Sequence, residues 1–130
     1  MVSVSDLTSY GLVLVEPTAT LRDAARLMTS AETGALLLER HRKPAAIFTE
    51  RDLVLAIAEG QDLAATVEAY ATGALVCIDE DAPVQAAWHA MAAAAVRHVV
   101  VNRNGRAVGM VSARDLIDHV AGAGERHEHR

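Results

Sequence analysis

The sequence predicts a mixed α/β fold made of two copies of one small β-α-β-β-α unit. Three observations predict it. Residues 12–58 match residues 75–121 without a gap, each copy alternates β-type runs with helical patterns, and the composition supplies an aliphatic core. Of the 130 residues, 52% are hydrophobic but only 3% are aromatic, so Ala, Val and Leu must fill that core.

The composition also excludes several classes of protein. The aliphatic content excludes intrinsic disorder, and a single cysteine, Cys77, excludes a disulfide scaffold. We predict that Cys77 is a buried structural thiol, because it lies in a short aliphatic run. The net charge of −5 argues against a nucleic-acid partner, and no apolar run is long enough to span a membrane. Without a basic leader at the N-terminus, we expect a cytoplasmic protein with no membrane partner.

The repeat is clearest where a hydroxyl residue precedes a shared Arg-Asp-Leu run. In the first copy Thr49 stands two residues before Arg51, and in the second Ser112 stands two residues before Arg114. The apolar pattern stays in register on both sides of this run, which an accidental match would not produce.

Each copy predicts the same order of elements. A β-type run at 13–15 or 76–78 is followed by apolar residues at helical spacing: Leu21, Ala24, Ala25, Met28 and Ala31, then Val84, Ala87, Trp88, Met91 and Ala94. Thr20 and Asp23 suggest a capping box at the first of these helices, and Pro83 suits the start of the second. On this apolar helix face we expect Trp88 to lie in the core or at a dimer interface.

Two apolar runs around a polar turn then predict a β-hairpin, at 36–38 with 45–48 and at 99–101 with 107–111. Asn104 and Gly105 are a strong signal for a tight turn. A second helix closes each copy, over 51–59 before Gly60 and over 114–121 before Gly122. Neither copy can bury its sheet well alone, so we predict two domains packed about a pseudo-two-fold axis: 2–60 with its lead-in segment, and 61–122. A disordered polar tail would follow at 123–130.

These residues resemble a known family, the cystathionine β-synthase (CBS) domain, in the tandem arrangement called a Bateman module. The resemblance rests on Ser/Thr-x-x-Asp at a strand-to-helix junction, on an Arg-His pair before a strand, and on a lead-in segment before each copy. The residues concerned are Thr49 to Asp52, Ser112 to Asp115, Arg97 with His98, and the segments 4–8 and 67–72. The resemblance covers residues 2–121.

The Ser/Thr-x-x-Asp junction has a definite chemistry. A hydroxyl at a helix start can cap the helix and donate to a phosphate, and the free amides there attract an anion. An aspartate three residues on lies on the same side of the helix, and its carboxylate can accept hydrogen bonds from a ribose diol. Capping alone would explain the same residues without any ligand.

The resemblance implies adenine nucleotides as ligands, in the cleft between the two domains. Phosphate and ribose would be held by Ser112, Asp115, Thr49, Asp52, Arg97 and His98. The base would lie against apolar backbone at Leu12, Val13, Leu75 and Val76, with Gly109 and Met110 permitting close approach. No metal and no required cofactor is implied; the nucleotide would be a regulatory ligand.

The two copies are not equivalent, and the second has the better site. Gly109 would let a ligand approach the backbone, where the first copy has Ala46. Arg97 could hold a phosphate, where the first copy has Gly34. Glu50 places a negative charge beside Thr49.

No nucleophile with a base and an orienting group is visible, so we do not expect an enzyme. We expect a stand-alone regulatory module that binds a nucleotide of the AMP, ADP or ATP type, acts as a homodimer and signals to an unknown protein partner. One alternative is a ligand-free interaction or stress-response scaffold. Another is a sensor of a different adenosyl ligand, S-adenosylmethionine or NAD.

Two polar segments complete the chain. Arg40, His41, Arg42 and Lys43 form a basic cluster, which we interpret as a solvated hairpin turn; the alternative is contact with a nucleic acid or with a partner's acidic face. His127 and His129 lie in the polar tail, and we favour disorder over a metal site there.

Overall fold

A computed structural model describes residues 2–122. In this part of the chain there are eight strands and four α-helices. The strands are β1 (Ser9–Tyr10), β2 (Leu14–Val15), β3 (Ala35–Arg40), β4 (Lys43–Thr49), β5 (Thr72–Gly73), β6 (Cys77–Asp79), β7 (His98–Arg103) and β8 (Arg106–Ser112). The helices are α1 (Leu21–Ala31), α2 (Glu50–Ala58), α3 (Val84–Ala94) and α4 (Ala113–Ala121), and short 3₁₀ turns lie at Val4–Leu7 and Val67–Ala69. The predicted mixed α/β class is confirmed.

The chain folds into two compact units, each with one four-stranded sheet. The central unit is Leu12–Leu75, and the terminal unit joins residues 2–11 to residues 76–122. The sheet order is β2-β3-β4-β5 in the central unit and β1-β8-β7-β6 in the terminal unit. In both sheets the strand before the first helix pairs in parallel with the hairpin, and the other pairs are antiparallel.

Each unit has its own aliphatic core. In the central unit Leu36, Leu38 and Phe48 on the hairpin pack with Leu21 and Met28 on α1. In the terminal unit Val99, Val101 and Val111 pack with Val84, Met91 and Leu116 from α3 and α4. The predicted capping box of α1 is confirmed, because the Asp23 amide donates to Thr20 Oγ1 over 3.0 Å and the Thr20 amide donates to the Asp23 carboxylate.

Each lead-in segment packs with the other copy of the repeat, whereas the sequence analysis groups it with the copy that follows it. β1 forms an antiparallel edge on β8, and Val4 is 1% exposed in the core of the terminal unit. Likewise β5 forms an edge on β4, and Val67 is buried in the central unit. The compact units therefore group the lead-in segments differently from the predicted domains 2–60 and 61–122, which stay a prediction. A two-residue strand is stable only on an existing sheet edge, and the free edges that these segments meet belong to β8 and β4.

A polar network fixes β1 to the terminal unit. The Tyr10 hydroxyl donates to Glu80 Oε1 over 2.6 Å, and Arg103 donates to the same carboxylate through Nε (2.6 Å) and Nη2 (3.1 Å). The Arg103 guanidinium also lies 5.5 Å from the centre of the Tyr10 ring. Hydrogen bonds from Arg103 and Tyr10 lower the pKa of the Glu80 carboxyl, while the hydrogen bond to Glu80 raises the pKa of Tyr10.

Both hairpins turn through two residues in the left-handed region. In the terminal unit these are Asn104 (φ 52°) and Gly105 (φ 79°), as the sequence predicts. In the central unit they are His41 (φ 53°) and Arg42 (φ 65°). For residues other than glycine, asparagine and aspartate this conformation costs roughly 1–2 kcal/mol.

Cys77 is exposed on the edge strand β6, so the prediction of a buried thiol is wrong; a strand at the sheet edge leaves one flank open to solvent. Trp88 is exposed on α3 and is not core.

Residues 123–130, with His127 and His129, lie outside the described residues. In the described part of the chain no helix has the length and apolar character to cross a membrane.

Candidate functional site

The two predicted junctions occupy equivalent places in the two units. β4 runs directly into α2 with Thr49 as the N-cap, and β8 runs directly into α4 with Ser112 as the N-cap. The Thr49 amide donates to Asp52 Oδ2 over 2.8 Å, and the Ser112 amide donates to Asp115 Oδ2 over 2.8 Å. In return the Asp52 and Asp115 amides donate to the two hydroxyl oxygens. Both junctions are therefore complete capping boxes, each stabilising its helix by about 0.5–2 kcal/mol.

The capping boxes leave part of each carboxylate available. Only Oδ2 of Asp52 and Asp115 is used, and Oδ1 makes no hydrogen bond to another described residue. Both side chains are half-buried and lie on the same side of the helix start as the hydroxyl. A carboxylate oxygen in this position can accept a hydrogen bond from a ligand hydroxyl without breaking the cap.

The two hydroxyl groups differ. Thr49 Oγ1 donates to Asp52 Oδ2 over 3.1 Å, so its proton is already engaged. Ser112 Oγ accepts from the Asp115 amide at 3.1 Å and donates to none of the described residues. Ser112 therefore retains a donor that Thr49 lacks.

The backbone of each helix start is less open to an anion than the sequence suggests. The Glu50 amide donates to the Gly34 carbonyl over 2.9 Å, and the Ala113 amide donates to the Arg97 carbonyl over 2.7 Å. Together with the capping boxes, these bonds occupy the first and third amides of each helix. An anion therefore meets fewer free donors here than at an uncapped helix N-terminus.

The surroundings of the junctions differ in charge. In the central unit the Glu50 carboxylate group lies over Gly34, with Cδ 2.9 Å from the place where a Cβ would stand. The equivalent residues of the terminal unit are Ala113, which has no charge, and Arg97, whose side chain is exposed. The negative charge of Glu50 is thus beside the central junction, as the sequence predicts. The terminal junction instead has a cation, Arg97, at the position equivalent to Gly34.

The structure explains the glycine at position 109 differently from the sequence analysis. A Cβ at Gly109 would stand 2.5 Å from the Ser9 carbonyl oxygen and 2.7 Å from Thr8 Cγ2. The glycine is required because β1 lies against it, and the space expected for a ligand is filled by that strand. Its counterpart Ala46 lies opposite Gly73 in β5.

The predicted site residues divide between the units. The central unit contains Thr49, Asp52, Leu12, Val13 and Leu75; the terminal unit contains Ser112, Asp115, Arg97, His98, Gly109, Met110 and Val76. His98 lies across the sheet from Ser112 in the register of β7 and β8. The Val13 and Val76 carbonyls accept from Leu37 and Val100 of the neighbouring strands, so these apolar segments are held in place by the sheets.

Sequence reasoning missed two features near the site. The carbonyls of Gly34 and Arg97 were not expected to hold the helix starts. Gly11 (φ 92°) and Ala74 (φ 56°) occupy equivalent left-handed positions just before the apolar segments. In the alignment of the two copies Ala74 pairs with Gly11. A glycine at one of two equivalent positions was therefore the available sequence signal for a left-handed backbone at both. Among the described residues no cluster of three or more His, Cys, Asp or Glu side chains could hold a metal ion.

The fold and its two hydroxyl–carboxylate junctions define a protein of tandem β-α-β-β-α repeats. The CBS domain family model matches residues 4–59 and 67–122, and the chain belongs to this family. It is similar to the uncharacterized 17.7 kDa protein in bps2 3'region of Acidianus ambivalens, with 33% identity over 115 residues that cover 87% of this chain and 70% of that protein.

Solved structures show the same fold. The CBS domain protein PAE2072 from Pyrobaculum aerophilum, complexed with AMP, is 32% identical, has a TM-score of 0.78, and the match covers 88% of this chain and 90% of that one. The CBS domain pair of protein MJ0100, in complex with 5'-methylthioadenosine and S-adenosyl-L-methionine, is 23% identical with a TM-score of 0.83 and coverage of 95% and 98%.

Proposed function

We propose that this chain is a regulatory, non-catalytic module that binds an adenine nucleotide of the AMP, ADP or ATP type. The observation that carries the proposal is the Ser112–Asp115 junction. Among the described residues the Ser112 hydroxyl donates to no acceptor, and Asp115 Oδ1 accepts from no donor. One helix start therefore offers a donor for phosphate and an acceptor for ribose. The AMP complex of a 32% identical relative supports the same ligand class.

Arg97 supplies the charge that this junction needs. Its carbonyl is bonded to the first amide of α4, so its side chain starts beside the junction, and that side chain is exposed. A guanidinium can form two parallel hydrogen bonds with a phosphate. These bonds would replace the backbone donors that the cap already uses.

We rank the terminal junction above the central one. The Thr49 hydroxyl already donates a hydrogen bond to Asp52, and Glu50 brings a carboxylate where the terminal unit has Ala113. A phosphate at the central junction would therefore lose one donor and meet a like charge.

A thermal-shift and calorimetry screen with AMP, ADP, ATP, NAD and S-adenosylmethionine tests the proposal. A nucleotide at 100 times its dissociation constant should stabilise the protein by about 2.7 kcal/mol. Asp115→Asn should weaken binding more than Asp52→Asn, and each variant serves as the control for the other because both alter one capping box. Equal or reversed effects would contradict the ranking, and preference for NAD or S-adenosylmethionine would reassign the ligand.

A second candidate, a ligand-free interaction scaffold, is favoured by one observation: both capping boxes are closed without any ligand. Capping fully explains Thr49, Asp52, Ser112 and Asp115 in that case. No thermal shift with any of the five compounds at millimolar concentration would establish this candidate over the nucleotide module.

We further propose that the protein is a homodimer. The second helix of each unit exposes apolar side chains: on α2 Val54 (63% exposed) and Ile57, and on α4 Ile117 and Val120 (61%). Burying such side chains against a second copy would remove apolar surface from water. Light scattering should give twice the monomer mass, and Ile117→Glu should shift it toward the monomer.

A further inference from the structure

The β3–β4 turn carries the densest positive charge among the described residues. We call Arg40, His41, Arg42 and Lys43 the basic hairpin; all four are exposed at the end of the hairpin. Three of the chain's 12 Lys and Arg residues lie within these four positions, although the net charge of the protein is −5. The basic hairpin therefore concentrates positive charge in a chain that is acidic overall.

The unit itself neutralises only part of this charge. Arg40 Nη2 lies 3.3 Å from Glu68 Oε2, and these side chains are 48% and 42% exposed. Arg42 and Lys43 form no ion pair with another described residue, and Lys43 lies directly across the hairpin from Arg40, cation beside cation. Like charges in directly opposed positions destabilise a strand pair.

The second hairpin of the chain has the same pair of opposed cations, Arg103 and Arg106, but a different turn. At the equivalent turn Asn104 and Gly105 adopt the same left-handed conformation, which suits them better than it suits His41 and Arg42. Arg103 there is paired with Glu80 by two hydrogen bonds, as Arg40 is paired with Glu68, so the two hairpins differ at the turn itself. The basic hairpin therefore differs in placing an exposed arginine, Arg42, at a left-handed position, against the local preference of the backbone.

We infer that the basic hairpin is a docking site for an acidic segment of a partner protein. Three cationic side chains within four positions, at and beside a two-residue turn, match a short run of Asp and Glu. The net charge of −5 disfavours a long polyanion such as a nucleic acid more than it disfavours a short acidic segment. The arginines can bind carboxylates in a bidentate manner.

Fluorescence anisotropy with a fluorescein-labelled octaglutamate peptide tests the inference. Binding should be measurable at about 0.05 M salt and much weaker at about 0.15 M, because exposed charges are screened. The double variant His41→Asn/Arg42→Gly copies the turn of the second hairpin and should melt no lower than the parent protein, yet bind the peptide roughly ten-fold more weakly. Arg106→Ser, on the other hairpin, is the matched control and should bind as the parent does.

Lys43 allows the contact to be located, because it is the single lysine of the sequence. A carbodiimide that activates a peptide carboxylate should join it to the Lys43 amine, with the carbodiimide taking up the water that is lost. Mass spectrometry should find the product at Lys43, and Lys43→Ser should remove it.

Three results would overturn the inference. The first is no binding of octaglutamate at low salt, and the second is equal binding by the parent and the double variant. The third is tighter binding of octathymidylate than of octaglutamate, which would assign the basic hairpin to nucleic acid instead.

Discussion

Tyr10 in β1 lies directly opposite Gly109 in β8, and the two residues come from opposite ends of the chain. The equivalent pair in the central unit is Gly73 opposite Ala46, so the glycine stands on the other strand. Only Gly109 is sterically required, because a Cβ there would collide with the β1 backbone, whereas a Cβ at Gly73 would meet nothing within 4 Å.

This contrast predicts different outcomes for two alanine substitutions. Gly109→Ala must displace β1 and should lower the free energy of unfolding by about 1–3 kcal/mol. Gly73→Ala, the matched control, should change it by less than about 0.5 kcal/mol, because the site is open and the residue is not in the left-handed region. Urea denaturation of both variants measures the difference. Equal effects would show that β1 does not hold Gly109 closely.

Removal of residues 2–11 should damage the terminal unit. That segment supplies β1 and the buried Val4, both of which lie in the terminal unit. Hydrogen exchange read by mass spectrometry should therefore show faster exchange in β7 and β8, while β3 and β4 keep their protection. Faster exchange confined to β3 and β4 would instead support the sequence-based grouping of the lead-in with the first copy.

Glu80 should contribute to acid sensitivity. Its pKa is lowered below the ordinary 4.5 by the hydrogen bonds from Arg103 and Tyr10. Its stabilising effect is therefore complete above the unfolded pKa and is lost as the pH falls through the lower folded pKa. Glu80→Gln keeps the shape and removes this titration, so its melting temperature should fall less than the parent's between about pH 5 and pH 3. An identical fall in both proteins would contradict this account of the network.

Glu50 should weaken nucleotide binding at the central junction, a prediction that rests on the proposed function. Glu50→Ala reproduces the residue of the terminal unit, Ala113, and Glu50→Gln removes the charge while keeping the size. Both should raise the affinity of the weaker site several-fold, by removing a like charge beside the phosphate. Calorimetry resolves the two sites; improvement by alanine but not by glutamine would assign the effect to space and not to charge.

Much of the fold could be predicted from local patterns. The Asn104–Gly105 turn, the Thr20–Asp23 capping box and the strand-to-helix order are short-range features, and all of them are present. The grouping of the lead-in segments could not be predicted. A two-residue strand such as β1 has almost no pattern of its own, and its place depends on which sheet edge is free in three dimensions.

The site was predicted unevenly for the same reason. The hydroxyl and the aspartate at each junction are three residues apart, and helical geometry alone brings them together. The distinction between Thr49, whose proton is engaged, and Ser112, whose proton is not, depends on side-chain positions. The steric need for glycine at position 109 comes from a segment a hundred positions away in the sequence. Likewise the sequence does not show that β6 is a sheet edge, and for this reason it predicts a buried Cys77.

The sequence by itself determined the repeat, the order of elements and the two Ser/Thr-x-x-Asp junctions, because periodicity, turns and caps act over a few residues. Only the tertiary structure decided that β1 crosses to the terminal unit and that the Glu50 carboxylate lies over Gly34. These contacts join residues that are distant in the chain, and they form only where packing of the sheets brings them within van der Waals or hydrogen-bond distance.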